Sequence, residues 1–280
     1  MAEPGPSAQP STTSNLTLRI ASAVVMMPLA LGTAYVGYWP FALFWAIAAI
    51  AILWEWTTLV SGRSNHLVFS SCAGALVVAG ILVFQARPLT AISIVGLGAL
   101  TAAILAPRQQ RAWLAGGVVY AGALLLSAIV LRGDAWLGFV ALVLLFAVVW
   151  TTDIFGYFAG RAIGGPKLMP SVSPKKTWSG AIAGAVGAMI VAALVAKLFG
   201  VGVLALAGLA LVLSVVSQAG DLFESSIKRR FGAKDASGLI PGHGGVMDRL
   251  DGFWAAAVAA CIIGVARGGF DDAARGLLIW

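Results

Sequence analysis

Residues 20–38, 40–59, 67–85, 89–106, 113–131, 136–152, 178–199, 201–219 and 253–268 are apolar runs separated by polar breaks. Each is close to the roughly 17–25 residues with which an α-helix crosses the hydrocarbon core of a bilayer. Backbone inside hydrocarbon has no water to bond, and a helix satisfies its N–H and C=O groups internally. The expected fold is therefore all-α: a polytopic integral membrane protein with about nine transmembrane helices. Composition agrees, since 60% of the 280 residues are hydrophobic, only 10% are charged, and the mean hydropathy is +0.95, far outside the range of soluble domains.

Nine is odd, so the chain ends should face opposite sides of the membrane. With the N-terminus in the cytoplasm, 13 of the 18 Lys and Arg fall inside, and only Arg87, Arg132, Lys197, Arg267 and Arg275 fall outside. That bias is the one the positive-inside rule requires. Both long polar loops, 153–177 and 220–252, then face the cytoplasm. The net charge of +7 is scattered over such loops with no long basic stripe, which fits anionic lipid and membrane orientation and argues against a nucleic-acid partner. Cys72 and Cys261 sit in apolar runs and read as small packing residues.

Three regions follow along the chain. Residues 1–16, rich in Ala, Pro, Ser and Thr, read as a disordered cytoplasmic tail. Residues 17–132 form a transmembrane scaffold with little polar equipment, and 133–280 form a catalytic transmembrane region that carries both polar loops. In the scaffold Glu55 stands between Trp54 and Trp56 near a predicted cytoplasmic helix end and reads as interfacial. Gly180, Gly184 and Gly187 read as positions of close helix packing.

The polar residues that remain are concentrated. Asp221, Glu224, Ser225 and Lys228 are spaced i, i+3, i+4 and i+7, so they share a face if the eighth span continues as a helix past the lipid boundary. Two readings are open: a solvated Glu224–Lys228 pair, or a site in which a metal relieves the cost of Asp221 at the end of an apolar span. Asp248 and Asp251 repeat the i, i+3 spacing where the ninth span begins, either as helix caps or as further oxygen ligands for Mg²⁺. Between them runs Ile240-Pro-Gly-His-Gly-Gly-Val246, whose glycines could make a plain turn or offer amides to phosphate; Lys228, Arg229 and Lys234 beside His243 favour phosphate. Earlier, Asp153, Tyr157, Arg161 and Lys167 precede Ser173-Pro-Lys-Lys-Thr-Trp178. There Lys175, Lys176 and Thr177 either anchor a helix at the interface or bind an anion at its N-terminus.

Ser226, Lys228, Arg229, Lys234-Asp235, His243-Gly244-Gly245 and Asp248-Arg249-Leu250-Asp251 together resemble the signature of the phosphatidate cytidylyltransferase family, the CDP-diacylglycerol synthases. The likeness is strongest over residues 150–255 and extends to Gly220-Asp-Leu and to the Lys175-Lys176-Thr177 stretch; Ser179 departs from it, where many relatives carry Glu or Gln. It implies a Mg²⁺-dependent transfer of the cytidylyl group of CTP to phosphatidate, giving CDP-diacylglycerol and pyrophosphate, in a multi-pass protein of a bacterial inner membrane that acts as a homodimer.

On this reading Asp221, Lys228 and Asp248 are catalytic, and Asp221, Asp248 and Asp251 hold the metal. Lys175, Lys176, Thr177, Ser226, Arg229, Lys234, Asp235, His243, Gly244, Gly245 and Arg249 bind substrate. Lys228 and Arg229 are expected beside the lipid phosphate and the His243 loop beside CTP. The nearest rival is a lipid-alcohol kinase that uses the γ-phosphate of CTP and needs a general base. An ion-coupled transporter would instead pair its charges near mid-membrane.

Overall fold

The computed structural model describes residues 12–62 and 66–280. Residues 1–11 of the expected tail and Arg63 lie outside the described part, and residues 12–16 belong to the first helix.

The helices are α1 (Thr12–Val36), α2 (Tyr38–Ser61), α3 (His66–Phe84), α4 (Pro88–Leu105), α5 (Arg111–Leu131), α6 (Leu137–Ile163), α7 (Trp178–Phe199), α8 (Val203–Arg230), α9 (Met247–Gly268) and a short α10 (Ala273–Leu278). Among the described residues, α2 to α9 are each long and apolar enough to cross a membrane, eight helices in all, and α1 carries a shorter apolar part, Val24–Val36, within the remaining expected span. The protein is an all-α, multi-pass membrane protein. One small antiparallel hairpin, β1 (Lys167–Met169) with β2 (Ser173–Thr177), was not expected and sits between α6 and α7.

Three helices overrun the apolar spans. α6 continues eleven residues past 152, α8 reaches Arg230, and α9 starts at Met247 in place of 253. For α8 and α9 the physical reason is the same. A charged residue ends a lipid-soluble stretch, but it need not end a helix when a neighbouring element supplies a partner for it, as the hairpin does for Asp221 and α8 does for Asp248. The polar loops therefore shrink to 164–177 and 231–246, and Asp153, Asp221, Asp248 and Asp251 all become helical.

The core lies between α2, α5, α6 and α9, where Phe41, Trp45, Leu124, Leu142, Leu145 and Ala256 are buried. Outward-facing Ile182, Val186, Ile190 and Leu194 give α7 an apolar stripe for lipid. α6 and α7 meet backbone to backbone. A Cβ on Gly180 would come within 2.5 Å of the Gly156 carbonyl oxygen, and one on Gly184 within 2.7 Å of that of Thr152. This close seam fixes where α7 begins. Its N-cap, Thr177, accepts the Gly180 N–H at 3.2 Å and so terminates the hairpin against α6.

Alternation of the spans gathers the hairpin and the 231–246 loop at one end of the bundle. At that end Ser61 bonds Gln110 at 3.2 Å, and Glu55 meets the start of α9. At the other end Arg132 donates to the Ala34 carbonyl at 2.7 Å and to that of Tyr35 at 3.3 Å, capping α1.

Candidate active site

Carboxylates from four helices converge where the hairpin and the 231–246 loop cover the bundle. Two subsets can be distinguished by what they touch. In the first, Lys228 is buried and bridges Glu224 at 2.6 Å and Asp248 at 2.5 Å. The second oxygen of Asp248 accepts the backbone N–H groups of Ala236 at 2.9 Å and Gly245 at 2.7 Å. Every oxygen of Asp248 thus has a protein partner. Glu55 of α2 is fully buried and accepts from Ser237 Oγ at 2.6 Å, Val246 N–H at 2.8 Å and Met247 N–H at 2.7 Å.

These contacts explain the glycine loop. A Cβ on Gly244, at φ +82°, would come within 2.8 Å of Asp248 Oδ2, and one on Gly245 within 2.5 Å of Glu55 Oε1. The glycines let two carboxylates press against the main chain. Of the glycine amides expected to be offered to phosphate, that of Gly245 is already taken by a carboxylate, as are those of Val246 and Met247 beyond it.

The second subset is Asp153 of α6, Asp221 of α8 and Asp251 of α9, which lie within electrostatic reach of one another. Asp221 is about a quarter exposed, pairs closely with Lys176, and accepts Ser225 Oγ at 3.3 Å. Asp251 accepts its neighbour's amide, Gly252 N–H, at 2.7 Å. Below them Thr152 and Ser214 share a hydrogen bond of 2.8 Å, and Gln218 donates to Ser214 Oγ at 3.4 Å, a polar ladder between α6 and α8 inside the membrane span.

Asp153 lines two cavities. One, of about 540 Å³, opens among α1, α2, α6 and α9. Met26, Phe44, Trp45 and Trp150 make its apolar walls, and Asp153, His243, Arg249 and Asp251 make its polar end. The other, of about 500 Å³, lies under the hairpin and is lined by Arg161, Lys167, Lys175, Lys176, Thr177 and Gln218, with Tyr157 holding Arg161 at 3.0 Å. Both volumes fall in the roughly 300–1,000 Å³ range of small-ligand sites. An apolar groove and a basic pocket therefore share one acidic corner.

A family model described as the cytidylyltransferase family matches residues 17–266. The chain belongs to that family. It is 47% identical over 258 residues to the phosphatidate cytidylyltransferase of Brucella abortus (strain 2308), covering 90% of this chain and 94% of that one. It is 32% identical over 282 residues to the protein of the same name from Haemophilus influenzae, covering 86% and 96%. With the Staphylococcus aureus (strain COL) protein of that name it shares 46% identity over 110 residues, 39% of this chain.

Against this cytidylyltransferase geometry the expected site residues separate clearly. Lys175, Lys176 and Thr177 line the basic pocket, and His243, Arg249 and Asp251 line the apolar groove. The His243 loop, expected beside CTP, lines the apolar groove, and Lys228, expected beside the lipid phosphate, bridges Glu224 and Asp248. Ser226 turns back to the Phe223 carbonyl at 2.6 Å, while its neighbour Ser225 faces Asp221. Arg229 is exposed and donates to the Ala233 carbonyl at 3.1 Å; it lines neither cavity, and nor do the exposed Lys234 and Asp235. Gly244 and Gly245 serve carboxylates.

The expected metal set is likewise divided, with Asp221 and Asp251 in one subset and Asp248 in the other. Among the described residues no three acidic, His or Cys side chains form a ready ligand cluster. Glu55, expected at the interface, is buried; its signal was a carboxylate inside an apolar span, where only a partner could hold it. Gln218 carried no distinguishing signal, because its role depends on which helix faces it.

Proposed function

We propose that this protein transfers the cytidylyl group of CTP to phosphatidate, forming CDP-diacylglycerol and releasing pyrophosphate. The observation that carries the reading is the meeting of the apolar groove and the basic pocket at Asp153. A lipid monophosphate and a soluble triphosphate need two such compartments, one dry and one cationic, that share a wall. The naming of the bacterial relatives supports the same chemistry.

In this mechanism the acyl chains lie along Met26, Phe44, Trp45 and Trp150, and the lipid phosphate meets Arg249 and His243 at the polar end. Arg161, Lys167, Lys175 and Lys176 hold the triphosphate, with the N-terminus of α7 adding its partial positive charge. A phosphate oxygen of phosphatidate attacks the α-phosphorus of CTP in line, the bond to the β-phosphate oxygen breaks, and pyrophosphate leaves into the basic pocket. The nucleophile is already anionic. The chain's task is therefore to bring two anions together and to stabilise charge on the leaving group.

The chemistry of these donors, carboxylate oxygens, is that of a hard divalent cation, although among the described residues no three of them stand as a ready ligand cluster. Asp153, Asp221 and Asp251 are oxygen donors in mutual reach, and Lys176 already occupies Asp221 as a monovalent counter-charge. Asp221, Asp153 and Asp251 would hold Mg²⁺, which when bound supplies neutralisation of phosphate oxygens. Asp248, with each oxygen bonded, acts by holding Lys228 and the loop. The excess of Lys and Arg in loops at this end supports a cytoplasmic orientation in a bacterial inner membrane, where CTP is available.

The test is purified protein with phosphatidate, Mg²⁺ and CTP labelled at either the α- or the γ-phosphate. Label from the α-position should appear in lipid. Lipid labelled only from the γ-position would replace cytidylyl transfer with phosphorylation.

A further inference from the structure

We infer that Glu55, a buried carboxylate of the transmembrane scaffold, is a positioning residue that sets the lipid-phosphate side of the site. The inference rests on the cytidylyl-transfer reading above. α9 starts without a side-chain cap of its own. Its first amides, Val246 and Met247, are capped instead by Glu55, 191 and 192 residues earlier in the chain. A carboxylate at a helix N-terminus satisfies orphan N–H groups and opposes the helix dipole, and burial strengthens both effects.

The same carboxylate holds Ser237 at 2.6 Å and abuts Gly245, so it grips the loop near its middle and at its C-terminal end. What the loop carries decides what Glu55 controls. Leu239, His243 and Val246 line the apolar groove, as do Arg249 and Asp251 on the first turns of α9. None of these residues lines the basic pocket. Glu55 thus acts on lipid binding through His243 and Arg249, and leaves the nucleotide side to α6, α7 and the hairpin.

Neutralising the side chain without shortening it isolates this role. In Glu55→Gln an amide nitrogen must face either Met247 N–H, or Val246 N–H and Ser237, and a donor then opposes a donor. The variant is expected to raise the apparent KM for phosphatidate by about fivefold or more, with the KM for CTP within about twofold of wild type. Ile52→Ala, a cavity in the same helix at a fully buried apolar position, is the control. It should lower thermal stability and leave both KM values in place.

Hydrogen exchange over 236–247 gives a second reading that does not depend on turnover. Exchange there should be faster in Glu55→Gln than in Ile52→Ala at matched thermal midpoints. Equal rises in both KM values, or exchange no faster than in the control, would overturn the positioning role. Absence of cytidylyl transfer in the wild type would instead overturn the proposed reaction, and the exchange comparison would still decide whether Glu55 holds the loop.

Discussion

Lys228 offers the sharpest test of the site's internal electrostatics. Its ammonium is buried between Glu224 at 2.6 Å and Asp248 at 2.5 Å, and the Glu224 side chain has no exposed surface. Lys228→Met keeps an unbranched side chain one atom shorter and removes the charge. Asp248 retains the Ala236 and Gly245 amides, so it is partly compensated. Among the described residues Glu224 has no other ion-pair partner, so it bears most of the loss. Breaking a buried ion pair from one side costs about 3–5 kcal/mol. At about 2–4 °C per kcal/mol for a chain of this size, the thermal midpoint in detergent should fall by the order of 10 °C.

A second substitution gives the reasoning a sign to satisfy. Glu224→Gln should destabilise the wild type, because Lys228 loses one of its two counter-charges. The same change should stabilise Lys228→Met, because it discharges the orphaned carboxylate. The assay is thermal unfolding of the four proteins of the cycle, read by loss of the monodisperse peak on size exclusion. A Lys228→Met midpoint within about 2 °C of wild type, or the same effect of Glu224→Gln in both backgrounds, would refute the buried-bridge account. Lys228 would then have to be returned to direct contact with substrate.

Further outcomes follow from the two cavities. Asp221→Asn should remain folded yet lose about 100-fold or more of turnover, and chelation of Mg²⁺ should stop the wild type reversibly; both are read by formation of labelled lipid from α-labelled CTP. Lys175→Ala and Lys167→Ala should each raise the KM for CTP by about tenfold with little change for phosphatidate, measured by initial rates with one substrate varied at a time. In a background lacking Cys72 and Cys261, a cysteine at Gly232 should resist a membrane-impermeant reagent in intact cells while one at Gly269 is labelled. The opposite pattern would put the basic pocket on the side away from cytosolic CTP.

Lipid-facing length and charge placement are local properties, so the spans, their order and the concentration of polar groups near 153–177 and 220–252 can be read along the chain. Helix ends cannot. α8 and α9 run past their apolar limits where Asp221 pairs with Lys176 of the hairpin and Asp248 with Lys228 of α8, and no local rule reports a partner that lies elsewhere in the sequence. The signature residues could be named in advance, yet their division into an internal bridge (Lys228 and Asp248), a groove end (His243, Arg249 and Asp251) and a pocket wall (Lys175 and Lys176) is a matter of packing. The clearest case is Glu55. Its sequence neighbours are two tryptophans that suggest an interface, and its hydrogen-bond partners are 182 to 192 residues away. A carboxylate's cost of burial is known from chemistry alone, but only the tertiary fold supplies the helix N-terminus that offsets it.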